Sequence, residues 1–248
     1  MRSSSRLRPR PMKDGPALSR RSSISRRIDG CAPGRRCRTL TAGRIGQAGL
    51  FSSRVTTMFD LEQFTSDCRA ALAADKSHKH VRDVVARAVA APASVMRALG
   101  EPKCAGLHKL HQSHDLTILN VVWAPMMTIM PHNHSMWAVI GIYTGREDNI
   151  FWRRLSDGSG KVEAAGAQAL CERDAAPLGR DIIHSVTNPI PRLTGAIHVY
   201  GGDFFDPTHR SEWDPETLLE GPFDPERAVR RFQEANDVFA SRQGRQDR

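Results

Sequence analysis

Apolar positions along the chain change period near residue 100, and with it the kind of element they predict. From Asp60, Leu61, Phe64, Cys68 and Leu72 recur at spacings of three and four, one face of a helix that Asp60 can cap. Val81, Val84, Val85, Ala88 and Val89 form a second such face. A short third helix around Val95 to Leu99 follows Pro92 and stops at Gly100. These three read as a helical cap over a core lying further on. After Gly100 short β segments take over: Leu116 to Val122, the stretch from Trp123 to Met130, Ile150 to Leu155, Asp181 to Val186 and Leu193 to Tyr200. Asp157-Gly158-Ser159-Gly160 reads as a turn, while Val162 to Glu172 fits no template cleanly. Asp224-Pro225-Glu226 then opens a helix whose apolar stripe is Val229, Phe232, Ala235 and Phe239. Regular short strands with Gly, Pro and Asn turns predict a mainly β sandwich or small barrel with helices at both ends.

Within that frame, Pro131-His132-Asn133-His134 and the apolar run from Ser135 to Gly145 read as a strand start and its continuation. Residues two apart on a strand share a face, so His132 and His134 would point the same way. Two imidazoles on a rigid strand can chelate a divalent metal with little ordering cost. Surface strands also carry such pairs by chance, and a metal needs at least one more ligand. Candidates lie downstream. His184 sits among Ile182, Ile183 and Val186, and His198 and Tyr200 are two apart in Ala-Ile-His-Val-Tyr. A hairpin between those two strands would bring His184 near His198 and Tyr200, and four histidines and a phenol would converge.

Charge changes the picture only at the beginning of the chain. Of 36 Lys and Arg and 27 Asp and Glu, 14 basic and 2 acidic residues precede Met58, leaving 22 against 25 after it. The headline net charge of +9 therefore belongs to residues 1–57, an Arg- and Ser-rich, acid-poor segment expected to be disordered by itself. It has the composition of an organelle transit peptide or of a basic arm for nucleic acid. The reading favoured here is an upstream extension, with Met58 as the true beginning, because Met58-Phe-Asp-Leu-Glu opens a helix at once. Residues 58–248 then form one domain, with a helical lead-in over 58–100 and a C-terminal helix over 224–242. That domain is near neutral, so nucleic-acid binding by it is not expected. No signal-peptide core or long apolar span argues for secretion or a membrane. Five scattered cysteines without a Cys-x-x-Cys pair give neither a disulfide framework nor a zinc ribbon, and a cytoplasmic location is expected.

His-x-His at 132–134, a His about fifty residues on, and His-x-Tyr at 198–200 resemble the cysteine dioxygenase-like cupins. The likeness runs through IIHSVTNP and AIHVYGGDFF and covers roughly Leu107 to Asp206. It implies a cupin double-stranded β-helix, a jelly-roll barrel, in which His132, His134 and His184 hold one Fe(II) per chain. His198 and Tyr200 would stand behind them as catalytic groups, and a small thiol would be oxidised by O2 to its sulfinate. The acid that the wider cupin pattern places after His-x-His is missing from Ser135 to Ile140, as in the three-His thiol dioxygenases. Three neutral imidazoles leave the metal its full charge and an open face, which suits an anionic thiolate.

Other positions depart from that family. The Ser that precedes its His-x-Tyr is Ala196 here, and the Cys that cross-links to the Tyr has no counterpart around Trp137 to Val139. The Arg that anchors cysteine's carboxylate on an early strand is absent from Leu107-His108-Lys109-Leu110-His111. Mercaptopropionate-type members supply an Arg after the Tyr, and Arg210 lies ten residues past Tyr200; the bland alternative is a solvated loop Arg. Together these favour a carboxylate thiol without cysteine's amine, or a thiol not yet assigned, over cysteine itself. Glu147 and Asp148 read as turn residues, with Glu147 a metal ligand only if its loop folds back. His108, His111, His114 and His209 read as surface or loop histidines, and Trp137 and Trp152 as core or pocket-wall aromatics. Two rivals remain: a three-His dioxygenase cleaving a C–C bond of a diketone-like substrate, and a non-catalytic cupin that binds a metal or small ligand. The sequence leaves the oligomeric state open.

Overall fold

The computed structural model describes residues 58–246. The expectation of a disordered basic extension over residues 1–57 lies outside the described residues. The three leading helices form as their periodicity predicts: α1 (Leu61–Ala74), α2 (Lys79–Val89) and α3 (Pro92–Leu99). Asp60 caps α1, its Oδ1 accepting from the Gln63 N–H at 2.8 Å. Gly100 ends α3 at φ 84°, a left-handed value that glycine adopts without a Cβ penalty.

Eleven strands follow among the described residues, arranged in two sheets. The five-stranded sheet runs β1 (Gly106–Gln112), β2 (Thr117–Trp123), β9 (Thr194–Tyr200), β4 (Ala138–Thr144), β7 (Ala175–Leu178). The six-stranded sheet runs β11 (Glu220–Pro222), β10 (Ser211–Trp213), β3 (Thr128–Asn133), β8 (Ile183–Thr187), β5 (Arg146–Arg154), β6 (Val162–Cys171). Every pairing is antiparallel. From β2 to β5, and again from β7 to β10, the chain changes sheet at each step. That winding makes the molecule a cupin-type double-stranded β-helix, with helices before and after it.

β2, β4 and β9 are buried at every position. The reason is that both faces of this sheet are covered, which turns the usual alternation into continuous apolar runs. Leu119, Val121, Ile140 and Ala196 point into the barrel. Their neighbours Ile118, Val139, Ile197 and Val199 point outward and meet Phe64, Cys68, Val81, Val85 and Val89 of the helices. Gly141 lets α2 approach β4, since a Cβ there would overlap Val85 and lie 2.9 Å from Val89. At the other end α4 (Pro225–Gln246) is capped by Asp224, whose Oδ1 accepts from the Glu226 and Arg227 N–H groups. α4 closes the barrel by stacking Phe232 on Trp123, ring centroids 5.4 Å apart. Val229, placed in the buried stripe by its spacing, is 51% exposed and stands at the barrel mouth.

Three expectations need correction. The run from Pro131 to Gly145 is two strands in opposite sheets, broken at Ser135, where φ is 56°. The strands carrying His184 and His198 form no hairpin: β8 and β9 belong to different sheets. Lastly, Glu147 and Asp148 are no turn, because β5 begins at Arg146 and pairs with β6 from its first residue. Val162 to Cys171, which fitted no template, is the edge strand β6, exposed along most of its length.

Candidate metal centre

Register places the first two imidazoles. His132 on β3 lies directly across from His184 on β8 in the antiparallel ladder. His134 sits one residue past the end of β3, in the turn that Ser135 makes with its left-handed backbone. That turn is tied down from outside: the Ser135 hydroxyl donates to the His209 carbonyl at 2.6 Å, and Asn133 Oδ1 accepts from the Ser211 N–H at 2.8 Å. The Nε2 atoms of His132 and His134 are 3.1 Å apart, and those of His134 and His184 are 3.4 Å apart. Nitrogens bound about 2.1 Å from one ion stand about 3.0 Å apart at a right angle and about 3.4 Å at the tetrahedral angle. The ligand nitrogens of all three imidazoles lie within 4.8 Å of one another, so together they form a group that could hold one metal ion.

Proton placement agrees. The His132 Nδ1–H donates to the Met130 carbonyl at 2.9 Å, and the His184 Nδ1–H donates to Asn149 Oδ1 at 2.6 Å. Each leaves a bare Nε2 facing the cluster. Burial pushes all three pKa values down, His132 to about 4 and the other two well below the usual imidazole range. Neutral imidazoles are what a metal requires. No carboxylate or thiol joins the group among the described residues.

His198 and Tyr200 project from β9 into the same cavity, with the Tyr200 hydroxyl 3.0 Å from His198 Nδ1. The Tyr200 ring stands edge-on to His134, centroids 5.1 Å apart. Ala196, two residues before His198, is fully buried and offers no hydrogen bond. His198 Nε2 is met instead by Glu147, 3.3 Å away on β5. Glu147 is itself fully buried and also accepts from Trp123 Nε1 at 2.8 Å and Asn149 Nδ2 at 3.0 Å. Burial alone would raise its carboxyl pKa, but His198 and these donors outweigh that and hold it below the usual value. Both oxygens of this acid face Trp123, Asn149 and His198, and it is not part of the three-histidine group. It escaped the sequence reading because Gly-Arg-Glu-Asp has the polarity of a turn. The only local hint is that Glu147 and Asn149 share a strand face, and that requires knowing β5 begins so early.

Arg210 is buried, not a solvated loop residue. Its guanidinium is clamped between Phe223 and Phe204, 3.9 and 4.6 Å from the ring centroids. Nη1 donates to the Phe204 carbonyl at 2.7 Å and Nε to the Asn133 carbonyl at 3.4 Å, while Nη2 is buried without a partner among the described residues. Burial lowers its pKa to about 10, which leaves it charged at neutral pH. It lines the cavity that holds all three imidazoles, His198 and Tyr200, with a volume of about 130 Å³. The remaining walls, including Leu107, Val121, Ile129, Val186 and Phe232, are apolar. The sequence-predicted site residues are thus all brought to one chamber. His108, His111, His114 and His209 stay outside it, and so do Trp137, which donates to the Lys76 carbonyl, and Trp152, which donates to Ser185.

No family model and no curated protein sequence matches this chain. Among solved structures it is similar to an RmlC-like cupin family protein with a double-stranded β-helix fold from Methanocaldococcus jannaschii. The identity is 11% and the TM-score 0.36, over 42% of this chain and 86% of that one. A conserved protein with a double-stranded β-helix domain from Klebsiella pneumoniae aligns at 14% identity and a TM-score of 0.34, over 44% and 82% of the two chains. Oxalate decarboxylase from Bacillus subtilis aligns at 15% identity and a TM-score of 0.32, over 40% of this chain and 24% of that one. At this distance the likeness says nothing of chemistry. Among the described residues no helix is long and apolar enough to cross a membrane.

Proposed function

We propose that the chain holds one Fe(II) on His132, His134 and His184 and oxidises a small, carboxylate-bearing thiol to its sulfinate with O2. The observation that carries the reading is the pairing, in one apolar cavity, of three neutral imidazoles with a buried guanidinium whose Nη2 has no partner. A buried cation with no close ion pair among the described residues is costly, and an incoming carboxylate would relieve that cost with a charge-assisted bond. Arg210 would thus fix one end of the substrate and leave its sulfur free to reach the imidazole cluster. Fe(II) bound there would supply the electron-transfer chemistry that lets O2 react with a thiolate. Overall the thiolate gains both oxygen atoms, RS⁻ + O2 giving RSO2⁻, so sulfur loses the four electrons that O2 takes up.

This chain's own groups do the rest. The apolar walls keep water from the reacting sulfur. The Tyr200 hydroxyl is held by His198 at the edge of the cluster, positioned to pass a proton between the bound thiol and the imidazole. Among the described residues no acid lines the cavity to receive a substrate amine, which favours a mercaptocarboxylate over cysteine and cysteamine. Glu147, the nearby acid that would close a fourth coordination position, is bonded to Trp123, Asn149 and His198 instead, which argues against a filled, purely structural site.

The test is O2 uptake by anaerobically iron-loaded protein given 3-mercaptopropionate, cysteine or cysteamine, with sulfinate measured as product. Turnover should be most efficient with mercaptopropionate. Iron-loaded protein inert to all three would sink the proposal; O2-dependent cleavage of a diketone in their place would decide for the C–C-cleaving rival.

A further inference from the structure

We infer that Glu147 is the positioning residue of the site: one buried carboxylate sets the proton on His198 directly and the proton on His184 through Asn149. The inference rests on the three imidazoles being metal ligands and is independent of which substrate is oxidised.

An ionised carboxylate has only acceptors to offer, so each group facing it must donate. Glu147 Oε2 receives Trp123 Nε1–H at 2.8 Å and faces His198 Nε2 at 3.3 Å. His198 therefore carries a proton on Nε2, and in its neutral form it presents a lone pair on Nδ1, which the Tyr200 hydroxyl meets as donor at 3.0 Å. On the other side, Oε1 obliges Asn149 to turn its NH2 toward Glu147, at 3.0 Å. The Asn149 carbonyl oxygen must then face His184 Nδ1, 2.6 Å away, and it can only accept. His184 is left with its proton on Nδ1 and a free lone pair on Nε2, the atom turned toward His134. His132 needs no such help, because the Met130 backbone carbonyl fixes it. The orientation of an amide is invisible from its outline, yet here it follows from the charge one residue further out.

Exchanging one oxygen for NH2 reverses the chain. In Glu147→Gln the Trp123 indole can still only donate, so the amide oxygen must stay on its side. The new NH2 then confronts the NH2 of Asn149, and Asn149 turns over. Its NH2 now points at His184 Nδ1, which has to accept, and the His184 proton moves to Nε2, where it blocks a metal. Adding Asn149→Asp cures this: a carboxylate at 149 accepts from the amide at 147 and from His184 Nδ1–H together.

The experiment is a titration of the apo protein with Co(II) alone, without thiol or O2. Glu147→Gln should bind Co(II) about 10- to 100-fold more weakly than the unsubstituted protein, and Glu147→Gln/Asn149→Asp should recover most of the loss. A folded Glu147→Gln variant with unchanged Co(II) affinity overturns the inference, and so does a double variant no better than the single. Imidazole ¹⁵N spectra of the unsubstituted apo protein test it without any variant. They should show His184 protonated on Nδ1 and His198 on Nε2, and either ring in the opposite form overturns the inference. Unsubstituted protein that binds no Co(II) would instead refute the three-imidazole reading, while the ring spectra would still judge the role of Glu147.

Discussion

On the proposed function, a single side chain, Arg210, sets what the cavity accepts. Its stem and guanidinium are held by two aromatic rings and two backbone carbonyls, so the group is pre-organised before any ligand arrives. Arg210→Met keeps a long apolar stem and removes the charge. A charge-assisted hydrogen bond contributes about 1.5–3 kcal/mol, so KM for 3-mercaptopropionate should rise about 10- to 100-fold. Any turnover of cysteamine, which has no carboxylate, should stay as it was. Arg210→Lys should not rescue, because an ammonium cannot fill the flat slot between Phe204 and Phe223; steady-state kinetics on the two thiols separate these outcomes. Among the three clustered imidazoles, His184→Ala should abolish tight Co(II) binding in a direct titration, if all three are needed as donors. At this scale the sequence was informative wherever residue type and chemistry coincide. His132, His134, His184, His198, Tyr200 and Arg210 were all legible, and all line one chamber. Glu147 was not, because its role depends on a partner 51 residues away in the other sheet.

Helices were readable because an amphipathic face repeats within a few residues, and α1, α2 and α3 lie where their stripes put them. The strands were readable as apolar runs but not as neighbours. β8 and β9 are adjacent in sequence and separated in space, since the barrel winds by changing sheet, and nothing local records that. β7, β10 and β11, with four, three and three residues, are too short to show a period at all. The contact between α2 and β4 gives a prediction at this scale. Gly141 provides no side chain where Val85 and Val89 press on the sheet. Gly141→Ala must push α2 outward or displace both valines, an overpacking cost of about 1–3 kcal/mol. Urea denaturation should show that loss as a lower midpoint with an unchanged slope. Co(II) affinity should survive, because α2 covers the outer face of the sheet and the imidazoles lie inside.

For the whole molecule, three buried imidazoles couple folding to protons and, on the proposed function, to metal. Burial holds His132, His134 and His184 neutral in the folded chain well below the pH at which free imidazoles titrate. Unfolded, each takes up a proton near pH 6.5. Below that pH the unfolded state binds more protons than the folded one, so stability falls as pH falls. For His132 the loss runs from about pH 6.5 down to its folded value of about 4. Glu147 acts in the same direction at still more acid pH, because its carboxyl is held below its ordinary value and must be protonated for that contribution to disappear. Metal acts the opposite way: an ion bound only by the folded chain adds stability that grows with the logarithm of its concentration over Kd. Protons compete for the same Nε2 lone pairs, so that increment should shrink as the solution is acidified. Thermal unfolding of apo and Co(II)-loaded protein at pH 7.5, 6 and 5 measures both effects. The apo midpoint should drop steadily across the series, and the gap between loaded and apo protein should be widest at pH 7.5. His132→Asn, which removes one of the three proton acceptors, should flatten the apo trend and close most of the gap. An apo midpoint that stays level from pH 7.5 to 5 would mean that the folded chain protonates these rings as readily as the unfolded one, and a cluster of neutral imidazoles could not then be its resting state.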